Sequence, residues 1–206
     1  MPLITSIKFQ ENQKRINVYL DNEFGFGLDL ENYVKLGLKV EQVLTDEEVK
    51  KIIKEGEFQK VYDKILRFGS LRPRSEKEYK GWLTKHKVSQ RFRQELFNRL
   101  KRLDFVNDRK FAAWWVDQRQ NFRPKSKRIL NIELRLKGIG KETIEEVLGE
   151  AKIDELAVAK NTLEKKKYKW EKLDDFEARR RKANFLAGKG FSWEIIKKVV
   201  EVDQDE

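Results

Sequence analysis

The chain has 206 residues, of which 39% are hydrophobic and 39% charged, so its apolar content is low for a single large core. It has 46 lysines and arginines against 35 acidic residues, a formal net charge of +11. Such an excess attracts nucleic acid, anionic membranes or acidic protein surfaces, although it also occurs on surfaces that are merely solvated. The absence of cysteine excludes disulfides, cysteine metal sites and thiol catalysis.

The amino-terminal residues do not have the pattern of a secretory signal. Residues 1–5 contain no charged region that is followed by a long apolar run. The longest apolar stretch, residues 111–116, is too short to cross a bilayer. We therefore expect a cytoplasmic protein with no membrane partner.

The first segment of the chain has the pattern of β-strands. Three stretches are rich in β-forming residues: 4–9, 15–20 and 24–28. Residues 15–20 alternate polar and apolar side chains, as a half-buried strand does. Residues 11–14 predict a turn, while Gly25 and Gly27 indicate a weak strand or a bulge. The pattern predicts a small antiparallel meander that ends near Asp29.

Helical patterns follow the meander. Residues 30–36 predict a short helix that Gly37 ends. Thr45 is expected to cap the next helix, and Glu48 completes a capping box three residues later. We expect that helix to end before Gly56.

From Phe58 onward the chain is predicted to be helical, with Pro73 and Pro124 between helices. One signature occurs three times in this part, about fifty residues apart: 82–89, 133–140 and 185–192. In each copy a leucine is followed five residues later by another apolar residue and then by a small one. Each copy belongs to a unit of three helices in about fifty residues. Because one such unit buries little surface by itself, neighbouring units are expected to stack.

The signature predicts the end of one helix and the start of another. Gly138 and Gly190 are suited to the left-handed conformation that closes a helix, and Ser192 to capping the helix that follows. The first copy has Lys87 at the glycine position, where a left-handed backbone costs roughly 1 kcal/mol. We therefore expect a different cap geometry in the first copy.

These patterns predict a mainly α protein in which a small N-terminal antiparallel β meander precedes three tandem three-helix units in an elongated, curved array. The expected divisions are a β/α segment, three helical repeats and an acidic tail on the third repeat: 1–57, 58–104, 105–152 and 153–206.

No catalytic constellation is visible in the sequence. His86, the one histidine, has no potential metal or catalytic partners nearby, so a polar helix-end role is favoured. Gly25 and Gly27 lack the third glycine of a phosphate-binding loop. Carboxylates are interspersed with lysines along helices, so none is singled out as an acid or base. We predict that the protein is not an enzyme and binds no metal.

Basic residues are the candidate binding groups, because arginine and lysine suit phosphates and carboxylates alike. The candidates for partner or DNA binding are Arg72, Arg74, Arg119, Arg123, Lys125, Lys127, Arg128, Arg135 and Lys137. Any one of them could instead solvate an outer helix face. Trp114 and Trp115 are adjacent, so we expect Trp115 to pack on Phe111 and Trp114 to be partly exposed.

One set of motifs stands out in the second repeat, namely residues 105–112, Trp115, Arg119, residues 127–129 and residues 133–139. In these residues the chain resembles the RecX family, regulators of the bacterial RecA recombinase. Weaker matches occur in the first and third repeats and in the N-terminal strands, so that the resemblance covers nearly the whole chain.

The resemblance implies a modulator that lies in the groove of the RecA–DNA filament and suppresses ATP hydrolysis and strand exchange. It implies no catalytic residue and no cofactor, with RecA as the main partner, single- or double-stranded DNA as a weaker or indirect partner, and a monomeric state. The charge alone leaves open a protein that binds nucleic acid directly, without RecA.

Overall fold

The structure, a computed structural model, describes residues 1–11 and 13–202. The chain divides into two compact bodies. The first consists of Met1–Leu71 and His86–Arg99, and the second of Arg72–Lys85 and the chain from Leu100 onward. The predicted mainly helical fold with an N-terminal meander is confirmed. The predicted acidic tail at 203–206 lies outside the described residues.

Three strands and ten α-helices follow one another along the described residues. The strands are β1 Ile4–Phe9, β2 Arg15–Leu20 and β3 Glu23–Asp29. The helices are α1 Leu30–Leu36, α2 Asp46–Ser70, α3 Glu76–Lys85, α4 Gln90–Arg102, α5 Asp108–Phe122, α6 Lys127–Leu136, α7 Lys141–Glu150, α8 Glu155–Glu164, α9 Asp175–Gly188 and α10 Trp193–Val202. A short 3-10 helix at Lys167–Lys169 was not predicted.

The sheet is antiparallel, in the order β1-β2-β3. Val18 pairs with Phe26 but Tyr19 pairs with Phe24, so Gly25 is the extra residue of a bulge in β3. A Cβ atom at Gly25 would lie 2.7 Å from the Leu20 side chain. The predicted bulge is therefore confirmed. The predicted turn at 11–14 includes residue 12, which lies outside the described residues.

The core of the first body lies between the sheet and helices α1 and α2. Its fully buried side chains alternate along the strands, as the period-two pattern predicts. They include Ile4, Ile16, Val18 and Leu28. The capping box of Thr45 and Glu48 at the start of α2 is confirmed, as is the left-handed end of α1 at Gly37.

The prediction that the helix after Thr45 ends before Gly56 is wrong, because α2 continues to Ser70. Gly56 is buried, and a Cβ atom there would lie 2.9 Å from the Leu28 side chain of β3. The glycine thus lets the helix approach the sheet closely instead of ending it.

The threefold signature is confirmed by its burial pattern. The signature leucines, Leu83, Leu134 and Leu186, are at most 1% exposed. The apolar residues five positions later and those of the following helices are also buried: Val88, Ile139, Phe191, Leu96, Val147 and Val199. Helices α5–α7 share one core in the second body, and α8–α10 share another.

The signature glycines adopt the predicted left-handed conformation, with φ of 87° at Gly138 and 79° at Gly190. Lys87 has a φ of 50°, so the expectation of a different cap geometry in the first copy is wrong. The roughly 1 kcal/mol cost at a non-glycine residue does not prevent the same conformation. The Ser192 hydroxyl accepts the backbone N–H of Ile195, which confirms its capping role.

No helix among the described residues is long and apolar enough to span a membrane.

Candidate functional site

Two polar side chains among the described residues are fully buried, Ser75 and Ser126. Ser75 precedes α3, where its hydroxyl accepts the backbone N–H of Glu78 at 3.2 Å. The same hydroxyl donates to the backbone carbonyl of Lys137, at the end of α6, at 2.8 Å. Because a buried hydroxyl is costly unless it is hydrogen-bonded, this serine fixes the start of α3 against the end of α6.

The same arrangement recurs about fifty residues later. The Ser126 hydroxyl accepts the backbone N–H of Ile129 at the start of α6, at 3.4 Å. It donates to the carbonyl of Lys189, at the end of α9, at 3.0 Å. The second body therefore contains the same serine junction twice, at equivalent positions of the repeat.

Carboxylates reinforce both junctions. Asp108, the first residue of α5, accepts the backbone N–H of Glu76, the first residue of α3, at 2.8 Å. Glu155, the first residue of α8, does the same for the N–H of Lys127, at 2.9 Å. Asn107 caps α5 itself. Burial raises the pKa of Asp108, against the lowering effect of its backbone hydrogen bond.

The signature glycines are required at these junctions for a second reason. A Cβ atom at Gly138 would lie 2.8 Å from the Cβ atom of Lys77. A Cβ atom at Gly190 would lie 2.9 Å from the Ile129 side chain and 3.0 Å from the Ser126 hydroxyl. Each glycine thus combines a left-handed backbone with a close approach to the neighbouring helix.

Two of the candidate binding residues, Arg72 and Lys137, converge on Glu78. The Arg72 guanidinium donates two hydrogen bonds to the carboxylate, at 2.9 and 3.0 Å, and the Lys137 ammonium donates one at 3.0 Å. Burial alone would raise the pKa of Glu78, whose side chain is 16% exposed, but these bonds lower it to about 2. The two cations are therefore already paired within the protein.

Arg119 is paired in a similar way beside Trp115. Its guanidinium donates to Glu133 at 2.7 Å and lies over the Trp115 ring, with 4.2 Å between guanidinium carbon and ring centroid. The Trp115 indole N–H donates to the same carboxylate at 2.9 Å. The Lys137 ammonium lies 4.9 Å from the same ring centroid, so the Trp115 ring contacts the cations of both Arg119 and Lys137.

The two tryptophans lie where they were expected. Trp115 and Trp114 are both half-buried, with centroids 5.7 and 6.0 Å from that of Phe111. Arg72 lies 5.3 Å from the Trp114 centroid. Arg74 is half-buried, and its backbone forms an isolated parallel β-bridge with that of Val106. Burial lowers the pKa of the Arg74 guanidinium, and the neighbouring charge of Arg72 lowers it further.

Arg123 and Lys125 line a groove with a volume of about 800 Å³. It lies between the α5–α6 loop on one side and α8, the chain after it and the end of α9 on the other. We call it the basic groove, after its six cationic lining residues, Arg123, Lys125, Lys165, Lys166, Lys169 and Lys189. No carboxylate lines it among the described residues, and within that part of the chain none of the six forms an ion pair.

The remaining candidates form a third group on α6. Lys127, Arg128 and Arg135 line a shallower depression of about 540 Å³ that also includes Glu145. Arg128 and Arg135 are exposed. Apart from Arg74, the candidates therefore divide into a paired cluster, the edge of the basic groove and this α6 face.

Sequence reasoning did not select four of the groove residues, Lys165, Lys166, Lys169 and Lys189, as binding candidates. Lys165 and Lys166 belong to a visible run of lysines, which was the available signal. Lys189 lines the groove at the end of α9, where its carbonyl is bound by Ser126, 63 residues earlier in the sequence, so no short-range pattern could have indicated it.

Comparison with known proteins extends over the whole chain. Residues 2–45 match the "Regulatory protein RecX N-terminal domain", residues 107–148 match "RecX, second three-helix domain" and residues 153–200 match "RecX, third three-helix domain". The chain is 34% identical to the "Regulatory protein RecX" of Bacillus subtilis, over all of this chain and 80% of that protein. The chain belongs to the RecX family.

A further relative and two solved structures are also similar to the chain. The RecX of Clostridium perfringens is 28% identical, over 97% of this chain and 95% of that protein. A crystal structure of regulatory protein RecX covers 98% of this chain and all of its own, with a TM-score of 0.74 and 22% identity. RecX from Lactobacillus salivarius covers 70% of this chain and 94% of its own, with a TM-score of 0.62 and 24% identity. These two structures show the same fold.

Proposed function

We propose that the protein binds the RecA–DNA filament and inhibits RecA's ATP hydrolysis and strand exchange. The observation that carries the proposal is the match of the whole chain to proteins named for a regulatory role. In this proposal the protein is a cytoplasmic monomer that acts in recombination, DNA repair and the SOS response. It has no catalytic activity of its own and needs no cofactor.

The division of the basic residues supports a binding role. Arg72, Arg119 and Lys137 are held by internal carboxylates and aromatic rings, so we assign them mainly to maintaining the repeat. Arg123 and Lys125 in the groove, and Arg128 and Arg135 on α6, have no ion pair among the described residues. Cations without an internal ion pair can attract an anionic filament without first breaking internal bonds.

The test is the single-stranded-DNA-dependent ATPase of RecA, measured while this protein is added. We expect the ATPase rate to fall as the protein concentration rises. An unchanged rate, at concentrations where circular dichroism shows a folded protein, would contradict the proposal.

Matched variants locate the surface. Replacing Arg128 and Arg135 with glutamine is expected to weaken the inhibition at unchanged stability, because both side chains are exposed. Replacing Lys152 and Lys198, which are also exposed and lie outside both depressions, removes the same charge and serves as the control. Equal loss of inhibition in both variants would indicate attraction by net charge instead of a defined surface.

A second candidate function is direct nucleic-acid binding without RecA, which the uncompensated charge of the basic groove favours. It predicts that naked DNA and RecA-coated DNA bind the protein with equal affinity. Tighter binding to the coated DNA would support the filament proposal.

A further inference from the structure

We propose that the basic groove binds the phosphodiester backbone of single-stranded nucleic acid. The inference rests on the proposed function, because it names DNA as the component of the filament that this groove contacts. It adds that the basic groove, formed largely by residues of the third repeat, is a binding site distinct from the α6 face and takes one chemical class of ligand.

Uncompensated charge is the first support. Around Glu78 and Glu133, each cation lies within about 3 Å of a carboxylate. In the basic groove six cations share one volume of about 800 Å³ without a carboxylate among the described residues. Like charges held close together repel one another, and a chain of phosphates would neutralise several of them at once.

Exposed aromatic rings beside these cations are the second support. Phe122 lines the groove with 76% of its surface exposed. Tyr168 lies next in sequence to Lys169, is 64% exposed, and has the Lys166 ammonium 5.7 Å from its ring centroid. Exposed rings beside cations provide stacking surfaces for unpaired bases, while the cations hold the backbone.

The exposed ring of Phe122 distinguishes a nucleic acid from an acidic protein segment. The charge of the groove does not, because lysine and arginine suit phosphates and carboxylates alike. An unpaired base can stack on the Phe122 ring, whereas a chain of carboxylates would leave that ring in water.

The experiment measures fluorescence anisotropy of a labelled oligothymidylate with the purified full chain, without RecA, over a series of salt concentrations. For six neutralised phosphates, the slope of log affinity against log salt is expected to be about −4. Replacing Lys165 and Lys169 with glutamine should make that slope shallower by about 1.4. The Lys152 and Lys198 double variant should keep the wild-type slope.

A second variant tests the stacking role. Phe122→Ala is expected to weaken oligothymidylate binding roughly fivefold or more while leaving the salt slope unchanged. Phe122 is largely exposed, so its loss should not change the melting temperature appreciably. An unchanged affinity in this variant would overturn the assignment to unpaired bases.

Competitors separate the ligand classes. A duplex of equal length and a polyglutamate of equal charge should each displace the oligothymidylate less well than unlabelled oligothymidylate does. Equal displacement by polyglutamate would overturn the proposal in favour of an acidic protein partner, and equal displacement by duplex would overturn its restriction to single strands. Retained groove-dependent binding with no effect on RecA's ATPase would instead refute the proposed function alone.

Discussion

The side-chain hydroxyl of Ser126 donates a 3.0 Å hydrogen bond to the backbone carbonyl of Lys189, 63 residues further along the chain. Ser75 and Lys137 repeat this contact at a separation of 62 residues. Both serines are fully buried, and each also caps the helix that follows it. The junction is thus a structural element of the repeat, and it fixes where Lys189 enters the basic groove.

Loss of the Ser126 hydroxyl should destabilise the second body. Ser126→Ala leaves the Lys189 carbonyl and the Ile129 N–H without this partner in a buried place, which is expected to cost about 2 kcal/mol of unfolding free energy. Urea denaturation followed by circular dichroism measures it. The control, Ser192→Ala, removes an exposed cap and should cost only about 1 kcal/mol. Equal costs would show that the buried contact adds nothing.

Substitution of the junction glycine Gly190 should destabilise the protein more than the addition of a single methyl group usually does. Gly190→Ala is expected to lose about 2–3 kcal/mol, because the left-handed backbone disfavours alanine and the new methyl group would meet Ile129. Gly149→Ala on α7 meets no atom within 4 Å and should instead gain up to about 1 kcal/mol. Thermal unfolding of both variants gives the comparison, and a neutral Gly190→Ala would contradict the packing at this junction.

Glu78 should make stability depend on acid pH. Its pKa is lowered from 4.5 to about 2, so the stability it contributes is present above pH 4.5 and is lost as the pH falls toward 2. With allowance for solvent screening, we expect the loss to be about 1–3 kcal/mol. Urea midpoints measured between pH 6 and pH 2.5 should fall less steeply for Glu78→Gln than for the wild type. Parallel curves would show that another group is responsible.

The pair of Arg119 and Glu133 should be more strongly coupled than an exposed pair. Both side chains are less than a third exposed and share Trp115, so a double-mutant cycle is expected to give about 1–2 kcal/mol. The pair of Arg181 and Glu177 on α9, whose arginine side chain is 55% exposed, should give about 0.3–0.5 kcal/mol. If the two cycles gave the same coupling energy, Trp115 would have no part in strengthening the first pair.

Local sequence rules predicted most of the secondary structure. The alternation in residues 15–20, the capping box at Thr45 and the left-handed glycines all depend on residues within about five positions of one another. The rule failed at Gly56, because a buried glycine inside a helix and one that ends a helix look the same in sequence. The close approach to Leu28 decides between them.

The sequence by itself determined the strands of the meander, the threefold signature and the surplus of basic residues, because these depend on composition and short-range spacing. Only the tertiary structure decided which of those residues are paired. Arg72 and Lys137 are 65 residues apart in sequence yet bind the same carboxylate, while Lys125 and Lys189 share a groove that is lined by no carboxylate from the part of the chain that the structure describes. Hydrogen bonds and ion pairs form between atoms about 3 Å apart in space, and short-range patterns carry no information on such distances across a fold.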